Sequence, residues 1–212
     1  MRVIPAINCK NFTCIKRRIK KAAEFLPKNS WIQIDISDGK FTKAKTWNSP
    51  LQLKKFLYKN KIAKFNLEVH LMVNDFGNEI KKWQEAGAKR IIIHLEALEN
   101  CGFKLTPKNS KNLGLAIKPS TSVKKLVHFL PKIKFVQLLA VSPGYSGQQF
   151  DKLTIKKIEF LKKNYPKVKI EIDGGMNEET AKLIKKAGAD FIVSGSYLFN
   201  SNNFRKRYIS LF

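Results

Sequence analysis

Cysteine is scarce in this chain. Cys9, Cys14 and Cys101 are all it has, and an odd number at no metal-binding spacing argues against a disulfide framework and against a cysteine-held metal. Long apolar runs are lacking too. No stretch approaches the ~20 residues of a membrane span. Met1 to Ile7 is too short for the apolar part of a secretion signal, and Lys10 breaks any continuation of it. Acidic residues are few, 16 Asp and Glu against 41 Lys and Arg, which gives a formal charge of +25. Within that excess arginine is rare, standing only at Arg2, Arg17, Arg18, Arg90, Arg205 and Arg207. Nucleic-acid surfaces cluster arginine with interleaved aromatics, whereas these lysines recur on the polar faces of nearly every helix candidate. The expectation is a soluble cytoplasmic protein with a solvated basic surface, no specific nucleic-acid partner, no membrane, and an attraction for anionic ligands.

What the chain does have is apolar content, 43% of 212 residues, enough to fill the core of one large domain over residues 1–212. Short apolar runs alternate with amphipathic ones. Strands are expected at Arg2 to Ile7, Trp31 to Ile36, Phe65 to Val69, Arg90 to His94, Gly114 to Ile117, Phe135 to Val141, Lys169 to Ile172 and Phe191 to Val193. Helices are expected at Thr13 to Phe25, Pro50 to Tyr58, Asp75 to Ala86, Val123 to Leu130, Lys152 to Asn164, Glu178 to Ala187 and near Asn202 to Leu211. Between Ala97 and Asn112, Gly102, Pro107 and Asn109-Ser110 break any helix longer than a turn or two. Repeated βα units with right-handed crossovers leave a doubly wound sheet or a closed (β/α)8 barrel. Eight units in this length fit a single, compact TIM barrel.

Several strands end in polar residues at inward positions. Gln33, Asp35 and Ser37 alternate with apolar neighbours, His70 ends the third strand and Asp173 the seventh. A carboxylate between Ile34 and Ile36 needs a cation, a metal or several donors, because burying it alone is very costly. In a barrel these strand ends share one mouth. Asp35, His70 and Asp173 there form either a divalent-metal site or an acid–base pair with an imidazole; taken singly, each is equally at home as a helix cap or a hydrogen-bonded core residue. His94 and Glu96 are expected in structural hydrogen bonds, and His128 at the surface. Three glycine-bearing loops follow the last three strands: Gly144-Tyr145-Ser146-Gly147, Gly174-Gly175 and Gly195-Ser196. Glycine lets backbone N–H groups close on an anion, and barrels commonly bind phosphate after strands seven and eight.

Asp35 with Asp38-Gly39, Glu68 to Val73, Gly114 to Pro119, Ser142 to Gln148, Glu171 to Gly175 and Val193 to Ser196 resemble, in this order along the chain, the ribulose-phosphate 3-epimerase family. The resemblance implies a (β/α)8 barrel, commonly a homo-oligomer, that interconverts D-ribulose 5-phosphate and D-xylulose 5-phosphate. It implies that Asp35 and Asp173 move the C3 proton through an enediolate. It further implies one divalent metal ion (Zn, Mn, Fe, Co or Mg) on Asp35, His70, Asp173 and a fourth position, here Gln33. Substrate and phosphate contacts map to His70, Met72, Gly144, Tyr145, Ser146, Gly147, Gly174, Gly175, Gly195 and Ser196.

Departures gather around the reacting atoms. Gln33 stands where the family has a metal-binding histidine, Ala6 where it has a serine, Ser37 and Leu139 where it has methionines, and Ser146 where it has a glycine. A neutral amide oxygen is a harder, weaker ligand than imidazole, which moves the expected preference from zinc or iron towards manganese or magnesium. The alternatives are an epimerase for another ketose phosphate and a non-catalytic barrel that binds a phosphorylated ligand.

Overall fold

In a computed structural model of the chain, eight parallel strands close into a barrel in sequence order, β1 pairing with β8. The strands are β1 (Arg2–Ile7), β2 (Trp31–Ser37), β3 (Asn66–Met72), β4 (Ala88–His94), β5 (Leu113–Ile117), β6 (Phe135–Leu139), β7 (Lys169–Asp173) and β8 (Phe191–Ser194). The structure describes every residue except 61, 63, 64 and 146, and omits the side chains of 107 and 108. Ser146, one of the expected phosphate contacts, therefore lies outside the described residues.

The helices follow the sequence pattern where capping is good. Helix α1 (Phe12–Phe25) starts at Asn11, whose side chain accepts from the Cys14 N–H, and buries Ile15, Ile19 and Ala22 along one stripe. Next come α2 (Pro50–Lys59), with proline in its first turn, and α3 (Gly77–Glu85). The broken region after β4 holds only α4 (Leu95–Glu99) and α5 (Pro107–Ser110), as the proline and glycine there dictate. Val123–Phe129 is a 3₁₀ helix rather than an α-helix; the segment is short and opens on a β-branched residue, so tighter turns prevail. Helix α6 (Leu153–Asn164) is followed by α7 (Glu178–Ala187), held by an Asn177–Thr180 capping box and ended by Gly188 at φ 101°. A short turn, α8 (Ser196–Phe199), follows β8 directly, and the terminal helix expected near Asn202 to Leu211 is α9 (Phe204–Ile209).

A second difference concerns the cysteines. Cys9 and Cys14 are joined as a disulfide, and Cys101 is exposed and free. An odd count does not exclude a local pair: Cys9 follows β1 closely, and Cys14 lies in the first turn of α1. That short turn brings their Cα atoms to 5.8 Å.

Most of the core lies between the strands and the helix shell, where Phe76, Trp83 and Phe204 are fully buried. Each such side chain contributes about 1.5–3 kcal/mol on leaving water. The barrel interior is divided. Ile4, Ala6 and Val193 form one apolar cluster, and Ile92, Ala116, Phe135 and Leu139 another. The rest of the interior is polar: Gln33, Glu68, His70, His94, Gln137 and Glu171 are buried to within 1%. Among the described residues no helix is long and apolar enough to cross a membrane.

Candidate active site

The β2–β3 register sets Asp35 beside His70 and Ser37 beside Met72, and the β6–β7 register sets Leu139 beside Asp173. These strand ends converge on one cleft at the mouth, lined among others by Ala6, Asn8, Asp35, His70, Met72, Leu139 and Asp173. Of the expected phosphate contacts, Gly144, Tyr145, Gly147, Gly174, Gly175, Gly195 and Ser196 line the same cleft. Two glycines are required by close approach. A Cβ on Gly144 would meet Thr42 Oγ1 at 2.1 Å, and one on Gly175 would meet the Phe150 backbone at 2.6 Å. Both also have positive φ, 113° and 68°.

Asp35, His70 and Asp173 each bring a ligand atom within 4.8 Å of the others. His70 Nδ1 lies 3.4 Å from Asp173 Oδ2 and 3.8 Å from Asp35 Oδ1. That nitrogen is buried and has no hydrogen-bond partner. An unpartnered imidazole nitrogen beside two carboxylate oxygens suits a divalent cation with hard or borderline ligand preference, so the residues present fit one.

Gln33 faces the carboxylates with its amide nitrogen. Nε2 donates to Asp35 Oδ1 at 2.7 Å and to Asp173 Oδ2 at 3.0 Å, while Oε1 accepts from Gln137 Nε2 at 2.9 Å. Gln137 Nε2 also donates to Glu171 Oε1 at 2.9 Å. Gln33 thus bridges the two aspartates instead of presenting the oxygen that a metal ligand would use.

Burial, reinforced by the charge of Asp173, lifts the Asp35 carboxyl to about 6, against the opposing pull of His70 and Gln33. Burial alone would lower His70, but Asp173, Asp35 and Glu68 together draw it above its usual value. Burial takes His94 down to about 4 although Glu96 opposes it. Burial would raise Glu96, but hydrogen bonds from His94, Thr121 and the Lys118 N–H outweigh it and hold the carboxyl near 2.

Three supporting residues emerge only from the structure. Thr46 Oγ1 donates to the Asp35 carbonyl at 2.9 Å and accepts from the Ser37 N–H at 2.8 Å, pinning the long loop to the end of β2. Asn8 lines the cleft and donates to the Gly144 carbonyl at 3.3 Å. Gln137 is the third. The last two carried the signal that exposed Gln33, a polar residue at an inward or strand-end position; Thr46 carried none.

Residues 2–199 match the ribulose-phosphate 3 epimerase family. The chain belongs to that family. It is 34% identical over 207 residues to the ribulose-phosphate 3-epimerase of Chlamydia pneumoniae, covering 94% of this chain and 88% of that one. Against the ribulose-phosphate 3-epimerase of Bacillus subtilis it is 30% identical over 217 residues, covering 99% and 97%. Among solved structures, 3-hexulose-6-phosphate synthase from Salmonella typhimurium superposes with a TM-score of 0.71 at 13% identity, over 100% of this chain and 96% of that one. That likeness is one of fold. The epimerase family assignment rests on sequence and accounts for the convergence of Asp35, His70 and Asp173 that the strand ends foreshadowed.

Proposed function

We propose that this chain is a divalent-metal-dependent sugar-phosphate 3-epimerase that interconverts D-ribulose 5-phosphate and D-xylulose 5-phosphate. The observation that carries the reading is the pair of aspartates flanking His70 at the mouth of a family barrel. Inversion at C3 requires a proton to leave one face and another to arrive on the opposite face, so two groups are needed, one ionised and one protonated. Asp35 and Asp173 supply them. One takes the C3 proton as the C–H bond electrons move into the C2–C3 bond, and the other delivers a proton to the far face of the enediolate. Asp35, His70 and Asp173 would hold the metal ion. Bound there, it supplies polarisation of the C2 carbonyl and stabilises the charge developing on its oxygen. Gln33 steadies the two carboxylates from below, which leaves the ion a harder donor set than one with a second imidazole and favours manganese or magnesium.

The glycine loops after β6, β7 and β8 would receive the phosphate, and Met72 would line the reaction centre. We place the enzyme in the cytoplasm, and, as the family resemblance implies, as a homo-oligomer; light scattering of the purified protein checks the oligomer. The direct test of activity is incubation with ribulose 5-phosphate and Mn²⁺ in D₂O. Formation of xylulose 5-phosphate carrying deuterium at C3 is expected, and no turnover of any pentulose or hexulose phosphate would overturn the reading. A different ketose phosphate is the second reading, favoured by Ala6 and Leu139 in the cleft wall and by Ser37 donating to Met72 Sδ at 3.7 Å. A panel of phosphorylated ketoses separates the two.

A further inference from the structure

Behind His70 runs a line of buried polar groups that the proton transfer does not use. His70 Nε2 and His94 Nε2 are 2.9 Å apart, and the two rings stack at 5.1 Å. His94 Nδ1 lies 3.1 Å from Glu96 Oε2. The other oxygen of that carboxylate, Oε1, accepts from the Lys118 N–H at 2.8 Å and from the Thr121 hydroxyl. His94 is fully buried.

The direction of each hydrogen bond follows from the chemistry of its ends. Glu96 already accepts two donors as a carboxylate, so it accepts from His94 as well, and the His94 proton sits on Nδ1. Phe41 covers the His94 ring at 4.5 Å, and the Lys118 ammonium lies 4.1 Å from the Phe41 ring centre. A neutral imidazole carries one proton, so with that proton on Nδ1 the His94 Nε2 is a bare lone pair. A bare Nε2 can only accept, and the proton between the rings belongs to His70 Nε2. In the neutral ring His70 Nδ1 is then the lone-pair nitrogen, and it is the buried atom without a hydrogen-bond partner that faces Asp173 and Asp35.

We propose that Glu96 and His94 are positioning residues that lock His70 in its Nε2–H tautomer and aim the Nδ1 lone pair between Asp35 and Asp173 as the imidazole ligand of a divalent cation. The inference rests on the metal reading of the site. Such outer partners fix a ligand's ring and its proton, and losing one typically costs 10–100-fold in metal affinity.

The chain has three histidines, which makes the test direct. Imidazole ¹⁵N–¹H long-range NMR on the metal-free full-length protein, titrated to a pH at which both buried rings are neutral, distinguishes the tautomers, with exposed His128 as the internal reference. The expected spectrum has His70 protonated at Nε2 and His94 at Nδ1. In Glu96→Gln the amide oxygen keeps the Lys118 and Thr121 donors, so its NH₂ faces His94 Nδ1 and both rings reverse. Mn²⁺ affinity, read by chelator competition, is expected to fall about 10–100-fold in that variant. Unchanged tautomers or unchanged Mn²⁺ affinity in a folded Glu96→Gln would overturn the proposal, and so would a neutral wild-type His70 with its single proton on Nδ1, a result that needs no variant to fold. Wild-type protein with the expected tautomers but no Mn²⁺ binding would instead overturn the metal reading.

Discussion

Each end of the barrel interior carries two carboxylates, and the two ends treat them differently. At the floor, Glu68 and Glu171 are fully buried, and the Arg90 guanidinium bonds Glu68 and lies 3.4 Å from Glu171. Three aromatic rings, Trp31, Phe135 and Phe191, hold that guanidinium at 3.6 to 5.2 Å. Burial and the charge of Glu68 push Glu171 well above the usual carboxylate range, and burial lifts Glu68 to about 7 against the pull of Arg90. At the mouth, among the described residues, no lysine or arginine forms a salt bridge with Asp35 or Asp173; a histidine and a glutamine amide stand beside them. A carboxylate pair closed by a resident cation belongs to the scaffold. A pair left without one has room for an exchangeable ion and for a proton in transit.

The difference can be broken at either end. The largest effect is expected at the mouth: Asp35→Asn and Asp173→Asn should each lower epimerisation by about 10²–10⁴-fold or more, measured as C3 deuterium incorporation, with the melting temperature preserved. The same conservative removal of charge at the floor should leave turnover nearly intact. Arg90→Met there should instead cost about 3–5 kcal/mol of stability in urea titration, because it strands Glu68 in the core, and Glu68→Gln added to it should recover part of the loss. Gln33→His sharpens the contrast from the mouth side. It replaces a neutral amide by imidazole and should tighten Zn²⁺ binding by about tenfold or more in chelator competition, with a smaller gain for Mn²⁺.

The smallest effect expected is in pH dependence. Asp35 rises from 3.8 in the unfolded chain to about 6 in the folded one. Folding therefore favours its protonated form, and the associated stability is present in full below 3.8 and lost as the pH climbs through 6. Metal-free protein should lose on the order of 2–4 °C in melting temperature per kcal/mol surrendered over that window. Asp35→Asn should lack the step, and Mn²⁺ should abolish it in the parent.

The eight strands were legible because periodicity, prolines and glycines agreed along most of the chain. Asp35, His70 and Asp173 were legible because an ionisable residue within or at the end of an apolar strand is costly to bury without a partner. The 3₁₀ form of Val123–Phe129 was not, since hydrophobic spacing does not separate a 3₁₀ turn from an α turn over so short a segment. The orientation of Gln33 was hidden for a different reason. Which end of an amide faces the site is decided by Gln137, distant in sequence and adjacent only after the barrel closes. The Cys9–Cys14 pairing likewise depends on the turn between β1 and α1 rather than on how many cysteines there are.

Arg90 and its three rings also govern traffic. With Glu68, Gln137 and Glu171 fully buried above them, the barrel is a vessel stoppered at the bottom, and the cleft lined by Asp35 and Asp173 opens at the other end. In the proposed reaction, a sugar phosphate seated in that cleft would bar the route by which bulk water exchanges the shuttled proton. The stopper, at the opposite end from the proposed chemistry, would thereby lengthen the time for which a proton taken from substrate stays on the protein before water replaces it.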